Sequence, residues 1–447
     1  MAGVGFMLDV LRKRHQFRAR EHWSRQRLDD YVRDSVQSLR QHAYVNSPFY
    51  QQFHKGLYDA PLENLPVLRK SVMMDHFDEL VTDREIRLEE IMAYMKDQER
   101  PERFLGRYVI NATSGSSGRL GVSIFSGNEW ATLMASAFAR TPLNLSFTRR
   151  IKTAQVASTT TFHMSTQGGS TFRNLFMPIL MLPASEPLAS MVQKLNTWKP
   201  DTLVLYASIG RILADEQLAG RLKIAPRTVM SGSEVLTEET RHRMIQAWGD
   251  GIYNNYAATE GVAAIECEQH RGLHVMEDLA LVENVDTNNR SVPAGVYGDK
   301  LLVTVLFKYT QPLIRYEIED SVRFTDEPCP CGQPFKLITS IQGRVQEVLS
   351  FPGVSGGIVH VHPLVFHNIM DTLPVSGWQV VQEVDGLHIL LAGTSGAIDD
   401  GQFERLVQQA LASQGAVVLN IQVEYVLSIP QTIAGKTPLV KSNLPRG

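Results

Sequence analysis

Strand-like and helix-like stretches alternate through the middle of this chain, and they predict an α/β fold: a large, multi-subdomain N-terminal part followed by a small α+β C-terminal part. Three observations carry this. Runs such as Thr202-Leu-Val-Leu-Tyr-Ala and Thr228-Val-Met-Ser-Gly end in small or polar residues with helical stretches between them, the pattern of a largely parallel sheet whose ligands bind at the carboxyl ends of strands. Beyond Gly343-Arg344 the pattern changes to short strands (Trp378 to Val384, His388 to Ala392, Val417 to Val426) round one helix (Gln402 to Ser413). At 447 residues the chain exceeds what one core fills, so 1–344 and 345–447 are read as separate domains.

Composition removes several classes of function. With 43% hydrophobic and 20% charged residues and a net charge of -3, the chain has no general attraction for nucleic acid or an anionic membrane. No apolar run approaches the roughly 20 residues of a membrane span and no apolar signal core follows the first basic residues, so a cytoplasmic location is expected. Three cysteines are too few for a disulfide framework, which agrees with a reducing compartment.

From Leu8 to about Gln52 the chain has helical composition, interrupted by Pro48, and reads as one or two amphipathic helices. The basic cluster from Arg12 to Arg20 reads as a solvated helix face or as a patch for a partner. Leu65-Pro-Val-Leu-Arg-Lys-Ser-Val-Met-Met-Asp75 predicts a turn leading into a short helix capped near Ser71. A helix over Glu129 to Arg140 and a strand over Thr153 to Thr160 follow. Leu301-Leu-Val-Thr-Val-Leu and Leu313-Ile-Arg-Tyr read as antiparallel strands.

The stretch that organises these elements is Tyr108-Val-Ile-Asn-Ala-Thr-Ser-Gly-Ser-Ser-Gly-Arg-Leu-Gly-Val-Ser-Ile-Phe-Ser126, a strand, a Thr/Ser/Gly loop and a strand. Gly115, Gly118 and Gly121 lack the Cβ atoms that would keep a backbone from closing round a tetrahedral anion, and Thr113, Ser114, Ser116 and Ser117 add hydroxyl donors. Such a loop suits a phosphate, although it is neither a P-loop nor a dinucleotide fingerprint, and a Ser/Gly surface turn has the same composition. Ser231-Gly232-Ser233-Glu234 and Tyr253-Asn254-Asn255-Tyr256-Ala257-Ala-Thr259-Glu260 are expected at strand ends, with the Glu260 carboxylate beside a crevice.

Thr113 to Gly118, then Tyr256-Ala-Ala-Thr-Glu260, then Pro312-Leu-Ile-Arg-Tyr-Glu-Ile-Glu-Asp320 and Gly343-Arg344 resemble, in that order, the adenylate-forming superfamily of acyl-CoA synthetases and adenylation domains. Within it the chain is most similar to the phenylacetate-CoA ligase family, through Ser47-Pro-Phe-Tyr50, Leu65 to Lys70, Gly261-Val-Ala-Ala-Ile-Glu-Cys267 and Gly435-Lys436. The resemblance implies an adenylation domain that binds ATP and a carboxylic acid, and a small domain that swings between two catalytic poses. It implies that Thr113 to Gly118 hold the β- and γ-phosphates, that Ser231 to Glu234 and Asn254 to Tyr256 line the adenine, and that Thr259 meets the α-phosphate. Glu260 matches the Mg2+ carboxylate, Asp320 the ribose acceptor, Arg344 the hinge-side arginine and Lys436 the catalytic lysine. Coenzyme A is the implied acceptor, with a separate carrier protein or an amine as alternatives, and a nucleotide-binding role without ligation as the competing class. Two departures are visible: Arg119 stands where the loop has a lysine, and Gln346 stands at the hinge acid.

For the acid, Trp130, Phe138, Phe162, His163, Tyr206, Ala207, Ser208 and Ala257 are the candidate pocket residues, and their aromatic and small character suits an aryl or short acid. Cys267-Glu-Gln-His270 and Pro328-Cys329-Pro-Cys331-Gly332 use every cysteine and form a candidate structural Zn2+ set, with His274 as the alternative fourth ligand and three unrelated buried thiols as the alternative to any metal. Members of the resembled family carry similar pairs. A homodimer is compatible with all of this.

Overall fold

The computed structural model of the chain describes residues 4–97, 102–113, 121–141, 150–173, 177–184, 186–344, 348–354, 356–361, 363–370, 373, 375–394, 396–418, 420–430 and 439–444. In chain order the helices are α1 (Val4–Arg20), α2 (Arg25–Asn46), α3 (Pro48–Phe53), α4 (Lys70–Asp75), α5 (Phe77–Leu80) and α6 (Leu88–Lys96). Then come β1 (Tyr108–Thr113), β2 (Gly121–Ser126), α7 (Gly127–Arg140), β3 (Thr153–Ala157), α8 (Met164–Phe172), β4 (Ile179–Pro183), α9 (Leu188–Trp198), β5 (Thr202–Leu205), α10 (Ala207–Leu218), β6 (Thr228–Gly232) and α11 (Glu238–Trp248). The strands β7 (Ile252–Ala258), β8 (Val262–Glu266), β9 (Leu273–Val275), β10 (Ala280–Val285), β11 (Lys300–Val305), β12 (Tyr316–Ile318), β13 (Asp320–Thr325) and β14 (Leu337–Arg344) follow. The chain closes with β15 (Leu349–Pro352), β16 (Ile358–Val361), α12 (Pro363–Met370), β17 (Val375–Glu383), β18 (Gly386–Thr394), α13 (Asp400–Ser413), β19 (Ile421–Val426) and β20 (Val440–Ser442).

The N-terminal helical stretch is three helices. Ser24 caps α2 by accepting from the Arg27 N–H, and Ser47 caps α3 with Pro48 at its first position, where a missing N–H costs nothing. The short helix after Leu65 is not capped by Ser71, which lies inside it. Arg69 is the N-cap and makes no side-chain capping bond.

Packing divides the chain into two compact units, and each is described by itself. The first comprises Met1–Arg150, Thr160–Pro178 and Tyr253–Ser340. In it β1 and β2 form an antiparallel hairpin with Asn111 opposite Ser123. Ser126 and Glu129 make a capping box that starts α7 directly after β2. The strands β7, β8 and β9 are antiparallel neighbours, and β9 pairs with β14 so that His274 lies opposite Leu337. β10, β11 and β12 form a separate antiparallel sheet. Arg315 breaks the strand expected over 313–316: its φ of 47° is left-handed, and β12 begins only at Tyr316.

The second unit comprises Ile151–Thr159, Ile179–Ile252 and Ile341–Gly447. Its parallel strands run in the order β4-β3-β5-β6, with Thr153 beside Thr202 and Thr202 beside Thr228. Every residue of β3 is buried, as a sheet covered on both faces requires. Helices α9, α10 and α11 bury Met191, Leu195, Leu213 and Met244 against Ala154, Val156, Leu203 and Val229. A distinct core formed wholly from residues 349–440 includes Phe366, Trp378, Val380, Ile389, Phe403 and Val407. It lies on the sheet β19-β18-β17-β20 with α12 and α13.

Candidate functional site

Two carboxylates and two phenols define the site in the first unit. Glu260 stands in the turn between β7 and β8, where Gly261 adopts a φ of 108°. A Cβ on Gly261 would lie 3.2 Å from Phe307 and 3.5 Å from Phe125, so both the backbone angle and the close approach favour glycine there. Asp320 opens β13, 60 residues on in the sequence. The Tyr256 hydroxyl, on β7, donates to Asp320 Oδ2 at 2.7 Å. The Tyr316 hydroxyl, on β12, donates to Glu260 Oε1 at 3.2 Å. Each segment therefore supplies the phenol that holds the other segment's acid. Burial first, and then the neighbouring Glu260, push the Tyr316 phenol far above its ordinary value, so it remains a donor.

Tyr316 is aimed by Arg315, whose guanidinium is buried. Its Nε and Nη2 lie 3.2 and 3.1 Å from the Glu283 carboxylate. Its Nη1 donates to the carbonyls of Glu63 at 2.7 Å and Leu65 at 2.6 Å. This forked geometry is what a guanidinium provides and an ammonium does not. It also holds the left-handed backbone that turns the chain into β12.

Asn254, Asn255 and Ala257 lie along β7, which pairs antiparallel with β8, and Thr259 lies in the following turn. The Asn254 N–H donates to buried Glu266 at 2.7 Å. Phe162 packs on the core of Phe104, Tyr108 and Ile110, and its carbonyl accepts from Ala112 N on β1 at 2.8 Å. His163 caps α8 by accepting from Ser165 N at 3.3 Å. Trp130 and Phe138 are core residues: Trp130 donates to Thr171 at 2.9 Å, and Phe138 stacks on Phe172.

In the second unit, Ser231 and Gly232 end β6. Ser233 has a left-handed φ of 66°, and the buried Ser231 hydroxyl has no partner among the described residues. Glu234 Oε2 accepts from Ser208 N at 2.9 Å. Tyr206 and Ala207 are buried. The Tyr206 hydroxyl accepts from Ser158 N at 2.8 Å, and burial pushes this phenol up to about 12.

Residues 114–118, Arg119, Gln346 and Lys436 lie outside the described residues, and of Thr113 and Arg344 only the strand positions are described.

The cysteine cluster forms, with a different histidine from the one favoured by spacing. Ligand atoms of Cys267, His274, Cys329 and Cys331 all lie within 4.8 Å of one another. Cys267 Sγ is 3.6 Å from Cys329 Sγ, and Cys331 Sγ is 3.3 Å from His274 Nε2. A tetrahedron with Zn–S of about 2.3 Å and Zn–N of about 2.0 Å has S–S and S–N edges of about 3.8 and 3.5 Å. The set therefore fits a four-coordinate ion. His270 is not in it. Its ring tilts against Tyr253 at 5.1 Å, and its Nδ1 is 3.5 Å from Glu266 Oε1. Burial pushes Cys267 up to about 12, raises Cys331 and lowers His274, so without a cation these groups favour their neutral forms.

No family model matches the chain. It is 25% identical over 264 residues to Protein CapK of Staphylococcus aureus, covering 58% of this chain and 56% of that protein. It thus spans little more than half of that relative's length. It is 23% identical over 390 residues to the phenylacetate-coenzyme A ligase of Thermus thermophilus, covering 81% of this chain and 80% of that one. A solved structure of 2-hydroxyisobutyryl-CoA ligase, in the postadenylation state with R3-HIB-AMP, superimposes with a TM-score of 0.73 at 19% identity, over 95% of this chain and 91% of that one. The fold is that of this solved CoA ligase. In sequence the chain is thus similar to phenylacetate-coenzyme A ligases over most of its length.

Proposed function

We propose that this protein activates a carboxylic acid with ATP to an acyl adenylate and passes the acyl group to coenzyme A. The carrying observation is the reciprocal pair of contacts, Tyr256 to Asp320 and Tyr316 to Glu260, which joins two acids from separate motifs into one site. In the first step an acid carboxylate oxygen attacks the α-phosphorus and pyrophosphate leaves. In the second the coenzyme A thiolate attacks the acyl carbonyl and AMP leaves. Both steps move negative charge among phosphoryl and carbonyl oxygens, so catalysis depends on donors and cations arranged in advance.

In this reading Asp320 accepts from the ribose hydroxyls, Asn254 to Tyr256 and Ser231 to Glu234 line the adenine, and Thr259 meets the α-phosphate. Glu260 would hold Mg2+, which supplies charge neutralisation at the phosphates. Thr113 and residues 114–118 would cradle the β- and γ-phosphates, and Arg344 would mark the junction from which the domain 345–447 brings in Lys436. Phe162, His163, Tyr206, Ala207, Ser208 and Ala257 would form the wall that selects an aryl or short acid. Cys267, His274, Cys329 and Cys331 would hold a structural Zn2+, a closed set with no position left for chemistry.

ATP–pyrophosphate exchange, measured with a panel of aryl and short-chain acids, tests this. Exchange that depends on one acid class is expected, followed by thioester formation on adding coenzyme A. Nucleotide binding without exchange for any acid would instead establish a non-ligase role.

A further inference from the structure

Lys308 has no exposed surface, and the chemistry outlined above gives it no task. It follows β11 in a turn that continues to Gln311, which is also wholly buried. Its ammonium lies 4.3 Å from the centre of the Phe125 ring and donates to Gln311 Oε1 at 2.9 Å and to the Ser123 hydroxyl. Gln311 completes the contact with β2: its Oε1 accepts from Ile124 N at 3.0 Å, and its Nε2 donates to Val122 O at 3.0 Å. Three consecutive residues of β2 are thereby held, with the Gln311 amide taking the place of a further strand.

The same turn is gripped from the other side of the hairpin. Glu129, in the first turn of α7, accepts from the backbone N–H groups of Tyr309 and Thr310, both at 2.7 Å. Four residues beyond Gln311 comes Arg315, and then Tyr316, the donor to Glu260. The turn thus connects the hairpin whose strands flank residues 114–120 to the segment that carries Tyr316 and Asp320.

This is an unfavourable arrangement if stability alone is considered. Lys308, Gln311, Asn111 and Ser123 are all buried, and both side-chain polar atoms of Asn111 lack a partner among the described residues. Well-packed apolar side chains would do as well or better in a core, and buried polar groups are retained where a unique register matters. Burial lowers the Lys308 amine to about 7, opposed by Glu129 and Glu260. Either protonation state can still donate to Ser123 and Gln311.

We propose that Lys308 and Gln311 form a latch that fixes β2 on the 308–311 turn, so that the hairpin keeps one register relative to the Glu260–Tyr316 and Tyr256–Asp320 pairs. Lys308 is a positioning residue for nucleotide binding, acting through β2 without touching the nucleotide. The inference rests on the ATP-dependent reading above.

The test uses the full chain as Lys308→Met, Ser123→Ala and the double variant. Readouts are the KM values for ATP and for the acid in pyrophosphate exchange, calorimetric ATP binding, thermal midpoint, and amide exchange over 121–126. A latch predicts that Lys308→Met raises the ATP KM by about tenfold or more and leaves the acid KM within about twofold, since small misplacement of a binding element is costly. Amide exchange at 122–124 should quicken, Ser123→Ala should shift both readouts the same way by less, and the double variant should be no worse than Lys308→Met because the residues act together. Unchanged ATP binding and unchanged exchange over 121–126 would overturn the latch. So would parallel rises in both KM values with a large fall in the thermal midpoint, the signature of a general core defect. If Lys308→Met does not fold, Ser123→Ala alone decides on the same criteria. Wild-type protein that binds ATP but exchanges no acid would refute the ligase reading while calorimetry and amide exchange still judge the latch; wild type that fails to bind ATP refutes both.

Discussion

If the cysteine cluster holds Zn2+ as proposed, replacing His274 by Ala should release the ion and replacing His270 by Ala should not, because among the described residues it is His274 Nε2 that stands with the three sulfurs. The protonation states of the site set the size of a second effect. Burial holds Cys267 at about 12 and Cys331 above its ordinary value, so both enter as thiols at pH 7 and each must release a proton to bind a cation. His274, lowered by burial, enters as the neutral ligand and releases none. At least two protons per ion are therefore expected, and the apparent affinity should fall by about a hundredfold between pH 7 and pH 6. Competition against a chromophoric zinc chelator at several pH values measures this slope, and titration in buffers of different ionisation enthalpy counts the protons directly. Less than half an equivalent of zinc in purified wild type, a slope below one proton, or retention of zinc by His274→Ala would each refute the assignment.

Tyr256→Phe removes the 2.7 Å bond to Asp320, a charge-assisted contact of about 1.5–3 kcal/mol, and should weaken ATP binding by about tenfold or more with little change in the acid KM; calorimetric titration with ATP checks it. Lys436→Ala should slow adenylation by about 10² to 10³, the scale of one electrostatic donor, while transfer from preformed acyl adenylate changes much less, which separate half-reaction assays would show. His54, lowered to about 4 by burial and then by Arg40, is neutral in the fold and takes up its proton more readily when unfolded. Its contribution is complete above about pH 6.5 and is lost as pH falls from there towards 4, at up to about 1.4 kcal/mol per pH unit. His54→Gln should flatten the fall in urea-denaturation stability across that window, and an unchanged slope would contradict this.

Local pattern was enough wherever an element's reason for forming lies within it. The strands of the hairpin, the Glu129-to-Arg140 helix with its capping box, and the buried β5 and β6 are of this kind. Where the reason lies elsewhere in the chain, the pattern misled. Leu313-Ile-Arg-Tyr has strand composition, but the grip of Glu283 and two distant carbonyls on Arg315 bends it into the left-handed region. His270 is nearer to Cys267 by count. Pairing of β9 with β14 instead carries His274 to the cysteines, and residue spacing contains no information on that register.

The candidate site shows the same division at the level of chemistry. Residue types announced the acids, because Glu260 and Asp320 stand in recognisable motifs. Nothing in either motif says that its own tyrosine serves the other's carboxylate. Tyr256 precedes Glu260 by four residues but reaches Asp320, and Tyr316 precedes Asp320 by four but reaches Glu260. Crossed contacts of this kind make the two segments one mechanical unit: displacing either acid strains the bond held by the other segment's phenol. Lys308 and Gln311 extend that unit to β2, and they escaped sequence reading because a lysine after a strand is ordinarily a solvated one. Only the packing of Phe125, Ser123 and Ile124 around Lys308 and Gln311 shows that this turn faces the hairpin instead of water.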